Sequence, residues 1–439
     1  MKNLKTNIYF KISAIIVIGL LLLIPTTMIK DLIRERENTQ KRAIYEVSSK
    51  WGEEQTLTGP FITVPYDRYV KQYSKKDSAD IIIKVKEYIH FLPSELSVNG
   101  DVNPERRYRG IYEIVVYNSA LNISGSFNNL KFSEFDIPLK DIHLDKATLS
   151  LGISDLRGIE KQVSLNWNND KFSFNPGTIS NDIIESGINT SITIDNYDSS
   201  SYKFSLNLDL KGSQKLYFVP VGEISDVTIS SEWNNPSFNG AFLPDSRTVN
   251  ENGFNANWNV LHLNRNFPQM WTGSINNIDK SAFGIDLLLP VDSYRKSMRS
   301  IKYALLFICF TFIVFFFVEV LRKVFIHPVQ YILVGIALIV FYTLLLSISE
   351  HLKYNISFLI SALSTLLLIV GYVKAILKSN QLTFIIGGIL TILYTFIFVI
   401  IQLQDYALLI GSIGIFIILG LVMYFSRKID WYNLNLDET

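Results

Sequence analysis

Apolar residues crowd toward the two ends of this chain and thin out between them. Ile12 to Ile29 is a stretch of about 18 residues without a charge, close to the minimum for one bilayer crossing. It follows a basic stretch carrying Lys2, Lys5 and Lys11. A cleavable signal peptide would place small residues in an A-x-A-like arrangement after its apolar core. Pro25, Met28 and Ile29 occupy that zone instead, which predicts an uncleaved signal anchor. Beyond it, Leu32, Ile33, Ile44 and Val47 recur at helical spacing in a charged segment, so the helix is expected to run on past the membrane.

From there to about residue 300 the period changes to two. In "YKFSLNLDLKG", Phe204, Leu206, Leu208 and Leu210 face one way while Ser205, Asn207 and Asp209 face the other. "KATLSLGIS", "QVSLNWNNDKFSFNPG" and "DVTISSEW" repeat the alternation between Asn, Asp, Gly and Pro turns. This predicts antiparallel, sandwich-like β structure in which each strand has one buried and one wetted face, as one large domain or two smaller ones. After residue 300 five apolar runs follow, at 302–321, 329–349, 356–373, 383–402 and 407–425. Each is near bilayer length at 1.5 Å per residue, and the loops between them are short, so neighbours must be antiparallel. The expected fold class is an α-helical multi-pass membrane protein of six transmembrane helices with a large β-rich extracytoplasmic domain. The expected parts are a cytoplasmic N-terminus (1–11), a signal anchor (12–29), an extracytoplasmic β-rich domain (30–300) with an N-terminal juxtamembrane helix, a five-helix bundle (301–426) and a cytoplasmic tail (427–439).

Charge sets the orientation. With the N-terminus inside, the inner segments hold Lys2, Lys5, Lys11, Arg322, Lys323, Lys374, Lys378, Arg427 and Lys428, whereas the short outer loops hold only Lys353. That is the positive-inside distribution, and it predicts that both termini lie in the cytoplasm and the β-rich domain outside it. Lys and Arg number 41 against 40 Asp and Glu, a balance that argues against a nucleic-acid partner. A single cysteine, Cys309, lies inside an apolar run, which excludes an internal disulfide framework and a multi-cysteine zinc site.

Four ionisable residues at the predicted membrane rims are the candidate functional groups: Glu319, His327, Glu350 and His351. His327 and Glu350 bracket one apolar run, and helical rise separates them by about 35 Å, so they cannot share a site through that helix. His327 precedes Pro328, a residue tolerated in the first turn of a helix. Glu319 is expected to pair with Arg322 one turn later. Spans three to six carry no central charge, and their hydroxyls (Thr343, Ser347, Ser361, Ser364, Thr365, Thr391, Tyr394 and Thr395) are expected to bond between helices. Anchoring and packing are the main reading of the rim residues, with a functional site at Glu350 and His351 the minority one. His90, His143 and His262 lack metal-ligand spacing. Asp155 and Arg157 in "GISDLRGIEK" suggest a structural turn with a local ion pair, and "WNNPSFNGAFLPD" a packed loop across a sheet edge. No hydrolase, zincin, phosphate-loop or dinucleotide motif is present. Neither a catalytic residue, a metal nor a cofactor is therefore expected.

Several segments together resemble the CreD family of bacterial inner-membrane cell-envelope proteins. They are "LLLLIPTTMIKDLIRER", "GPFITVPY" (59–66), "ISDLRGI" (153–159), "NPSFNGAFLPDSRTVNENGFNANW" (235–258), "IHPVQYILVGIALIVFYTLLLSISEH" (326–351) and "IDWYNL" (429–434), in the family's order over nearly the whole chain. The resemblance implies a non-enzymatic role in envelope integrity and in the response to envelope stress, β-lactams and an E-group colicin. It implies a regulatory link to a CreC–CreB-like two-component system, and no catalytic residue set comes with it. Beyond the lipid bilayer, the expected partners are periplasmic or cell-wall-associated. The alternatives are a small-molecule or lipid transporter, which would need a polar cavity and usually broken helices or repeats, and a membrane enzyme acting on envelope lipid or glycan.

Overall fold

The computed structural model describes residues 8–74, 79–195, 201–274, 278–289, 293–403, 406–427 and 429. Lys2, Lys5, Lys428 and nearly all of the "IDWYNL" segment lie outside them. The chain divides into two compact units, Arg42–Pro290 on the one hand and Met1–Lys41 with Val291–Thr439 on the other.

The Arg42–Pro290 unit is built on two sheets. The first runs in the order Pro236–Gly240, Phe283–Leu287, Lys215–Val219, Gln55–Ser74, Thr148–Ile153, Gly187–Ser191 and Asn175–Pro176, with Ala79–Phe91 and Met270–Thr272 branching from Gln55–Ser74. The second runs Ser246–Asn250, Gly253–Leu261, Ile224–Ser231, Glu95–Arg109, Tyr112–Asn128, Ser201–Ser213, Ser164–Trp167 and Asp170–Ser173. Leu57, Phe61 and Leu151 of the first sheet share one buried cluster with Val98, Ile123 and Leu208 of the second, so the sheets close on a single core as a sandwich. The period-2 pattern explains the pairing face: in Ser201–Ser213, Tyr202, Phe204, Leu206, Leu208 and Leu210 are buried. At the edge, "WNNPSFNGAFLPD" places Phe238 against Phe254 and Trp258, with ring centroids 5.6 and 5.8 Å away.

Two features depart from the expected pattern. Thr148–Ile153 is buried at every position, on both faces, because it is a central strand over which Ile183 and Ile184 also close. The sheets are also mixed: Gln55–Thr58 pairs parallel with Leu216–Val219, and Ile224–Ser231 pairs parallel with Glu95–Val102. Alternation specifies which face of a strand is buried and says nothing of the direction of its partner, and both parallel partners are remote in sequence.

The other unit is helical. Helices α1 (Ile8–Leu21) and α2 (Leu23–Trp51) follow each other, and the division between units falls within α2, after Lys41. Then come α3 (Ser293–Lys302), α4 (Ala304–Arg322), α5 (Pro328–Ser349), α6 (Tyr354–Leu377), α7 (Asn380–Gln402) and α8 (Ala407–Ser426). Among the described residues, six helices are long and apolar enough to cross a membrane, the first of them spanning Phe10–Trp51. Helix α3 was not foreseen as a separate element. Its buried stripe is Tyr294, Ser297, Ser300 and Ile301, so helical periodicity is present but written mostly in hydroxyls. Ser300 and Tyr354 of α6 share a hydrogen bond of 2.6 Å at the base of this stripe. Two of the bundle hydroxyls depart from the expected bonding between helices: Thr391 and Thr395 donate to the Gly387 and Thr391 carbonyls one turn back on their own helix.

Candidate functional site: buried charges of the helical bundle

The densest polar site in the bundle grows from the end of α4. Lys323 adopts the left-handed conformation (φ 51°) and terminates the helix. The chain then folds back, so that the Ile326 amide donates to Glu319 Oε1 at 3.0 Å. Tyr331, on the first turn of α5, donates its hydroxyl to the other carboxylate oxygen at 2.9 Å. From α1 the Lys11 ammonium completes the site as an ion pair with Glu319, and it also lies 4.2 Å from the centre of the Phe325 ring. Glu319 and Tyr331 are fully buried and Lys11 nearly so. The carboxylate thus receives two hydrogen bonds and one full charge, and it ties three helices together at one end of the bundle.

This corrects the partner expected from sequence. Glu319 pairs with Lys11, more than 300 positions away, rather than with Arg322. The i,i+3 neighbour looked favourable because local helical spacing was the only geometry available. Arg322 instead points outward and is exposed.

The remaining candidates separate. His327 caps α5: its Nδ1 accepts from the Val329 amide at 3.2 Å, while its own amide donates to Gln330 Oε1 at 3.0 Å. At the opposite end of that helix Glu350 is tucked in, accepting from the Tyr294 hydroxyl of α3 at 2.9 Å, with Arg36 Nε 3.8 Å away. His351, its neighbour, is exposed. The structure therefore does not join Glu350 and His351 into one catalytic pair.

In the β unit two further polar sites appear: sequence spacing did not reveal the first, and the second is the turn with a local ion pair expected at Asp155 and Arg157. Buried His90 bridges Thr63 Oγ1 and Asp182 Oδ2, each at 3.1 Å. An ionised Asp182 only accepts, so Nε2–H donates to it, and Nδ1 of a neutral His90 accepts from the Thr63 hydroxyl. Burial pushes the His90 pKa down, against the opposing pull of Asp182. The order Thr–His–Asp is that of a nucleophile, base and orienting acid, but Thr63 and His90 are sealed beneath the sheet, so no substrate carbonyl can reach the hydroxyl. The second site is the "SDLRG" turn. The Asp155 carboxylate accepts from the Glu53 amide (2.9 Å), the Arg157 amide (3.1 Å) and Arg157 Nε (2.8 Å). Arg157 also donates to the Ser49 carbonyl in the last turns of α2 and to Glu53. Among the described residues no three His, Cys, Asp or Glu side chains gather in a group able to hold a metal ion.

A set of apolar helices with a large β-sandwich between the first and second spans, its buried charges spent on tying elements together, defines a multi-span membrane protein with an extramembranous β domain. The comparisons place it more narrowly. Residues 7–432 match the family model "Inner membrane protein CreD", and the chain belongs to that family. The inner membrane protein CreD of Escherichia coli (strain K12) is 31% identical over 99% of this chain and 96% of its own length. Solved structures of an M1 zinc metallopeptidase from Deinococcus radiodurans align over 38% of this chain and 38% of theirs, at 8% identity and a TM-score of 0.19, too slight a likeness to carry any argument.

Proposed function

We propose that this protein is a non-enzymatic component of the bacterial inner membrane that maintains cell-envelope integrity under envelope stress, including exposure to β-lactams or colicins. Its two termini lie in the cytoplasm and its β-sandwich in the periplasm, where it meets periplasmic or wall-associated partners, under a CreC–CreB-like regulatory system. The observation that carries the non-enzymatic reading is the use made of the reactive side chains. Glu319, Glu350, His90 and Asp155 are all committed to bonds that hold helices or strands in place. Family membership supports the envelope role, and the Lys and Arg distribution supports the orientation. One feature favours the transporter reading: the buried hydroxyls of Tyr342 and Ser361 have no hydrogen-bond partner among the described residues, which is a start toward a polar path.

The double variant Glu350→Gln/His351→Asn is expected to restore envelope-stress resistance to a deletion strain nearly as well as the wild type. Complete loss of complementation at normal membrane levels would overturn the non-enzymatic reading in favour of chemistry at that end. For orientation, alkaline phosphatase fused after residue 200 should be active and fused after Lys428 inactive. The reverse pattern would invert the topology.

A further inference from the structure

Helix α8 stands apart from the bundle. Only Gly414 is buried along it, where the Phe396 ring of α7 approaches so closely that a Cβ would meet it at 2.1 Å. Toward its other end α8 meets α4 again, the Phe425 ring lying 6.3 Å from that of Phe317, and between α8, α4 and α7 runs a cleft of about 700 Å³. Phe310, Val314, Ile389, Phe396, Ile417 and Val422 form its walls, and the single charged side chain lining it is Arg322. The volume falls within the range of about 300–1,000 Å³ typical of small-molecule sites.

Size and charge choose the occupant. Across α4 to α8 the one carboxylate is Glu319, already held by Lys11, so a helix of a second copy laid here would leave the Arg322 guanidinium without a partner and does not suit the cleft. A lipid tail, only a few ångströms across, does. At the end of the cleft, Arg322 is exposed and makes no ion pair among the described residues, Lys323 follows it, and Arg427 closes α8 at the same end. Glu319, the nearby carboxylate in α4, is already held by Lys11 and faces the other side of the helix, toward α1 and α5. An uncompensated guanidinium where an apolar groove meets the headgroup level is the arrangement that recognises an anionic phosphate, by paired N–H donors and by full charge. We propose that the α4–α7–α8 cleft binds a phospholipid with an anionic headgroup, one tail lying along the apolar walls and the phosphate held by Arg322.

The test is native mass spectrometry of the full-length protein released from nanodiscs holding equal amounts of phosphatidylglycerol and phosphatidylethanolamine. The wild type should retain one phospholipid, with phosphatidylglycerol favoured at least fivefold. Arg322→Gln should erase that preference while leaving some lipid bound. Ile417→Trp fills the cleft from a half-exposed position on α8 and should remove the retained lipid whatever its headgroup. Ile415→Trp, on the same helix but outside the cleft lining, should behave as wild type. The proposal fails if the wild type shows no headgroup preference, if Ile417→Trp keeps its lipid, or if the retained mass is a second copy of the chain that Ile417→Trp releases.

Discussion

Glu319→Ala is expected to be the most damaging single change in the helical bundle, lowering its stability by about 3–5 kcal/mol, the cost of breaking a buried ion pair on one side. The carboxylate serves three donors, and its removal strands all of them: the Lys11 ammonium, the Ile326 amide and the Tyr331 hydroxyl. The amide and hydroxyl alone account for about 1–3 kcal/mol each when buried without an acceptor. Lys11→Met should cost less, because Glu319 left without its cation can take up a proton and keep its hydrogen bonds with Ile326 and Tyr331. The double variant Lys11→Met/Glu319→Leu should lie closer to wild type than Glu319→Ala does, since no charge is then left buried. The measurement is loss of helical circular dichroism during titration with sodium dodecyl sulfate in mixed micelles. If Glu319→Ala and wild type unfold together, Lys11 has simply extended its long stem to water, and the ion pair contributes nothing to holding α1.

The contrast between Lys11–Glu319 and the helices that carry it shows what could be read from sequence. Bilayer-length apolar runs declare themselves, because each helix satisfies its own backbone and needs only a hydrocarbon surface. The five runs after residue 300 differ little from α4 to α8 for that reason. The alternating faces of Ser201–Ser213 were equally legible. What depends on distant pairing was not. Nothing local to Glu319 points to Lys11, nothing local to His90 points to Asp182, and nothing in Ile224–Ser231 announces a parallel partner at Glu95–Val102. Helix α3 was missed for a different reason, since a stripe of Ser and Tyr carries the right period but not the hydrophobicity that makes a period visible. Of the four rim residues, the sequence placed all four at helix ends, and only tertiary geometry distinguished the buried tie (Glu319) from the cap (His327), the tucked carboxylate (Glu350) and the exposed ring (His351).

Asp155→Ala is expected to destabilise the β-sandwich by about 2–5 kcal/mol, because charge-assisted and buried hydrogen bonds are the costly ones to orphan. The turn it organises is closely fitted. Gln55, fully buried, donates from Nε2 to the Asp155 and Lys211 carbonyls at 2.9 and 3.0 Å and accepts the Asp155 amide at 3.2 Å. Gly158 passes so near that a Cβ there would meet the Lys211 carbonyl at 2.2 Å. Removing the carboxylate frees the Glu53 and Arg157 amides and releases one of the two acid groups that hold the Arg157 side chain against the end of α2. The effect should also follow pH. Burial pushes the Asp155 carboxyl up, but the Arg157 side chain and the Glu53 and Arg157 amides outweigh it and hold the group below its ordinary range. A carboxyl whose folded value is depressed contributes stability that is complete above its unfolded value of about 4 and is lost as pH falls through the folded one. Urea unfolding of the full-length protein in detergent, followed by the fluorescence of Trp167 and Trp258 in the sandwich core, should show the gap between wild type and Asp155→Ala at pH near 7 and see it narrow below about pH 4. Asp155→Asn keeps an acceptor but not the charge, so it should fall between the two at neutral pH and lose most of the acid dependence. A gap that stays constant down to the lowest pH would mean that Asp155 acts through its shape alone, and that the ion pair with Arg157 is incidental to the latch.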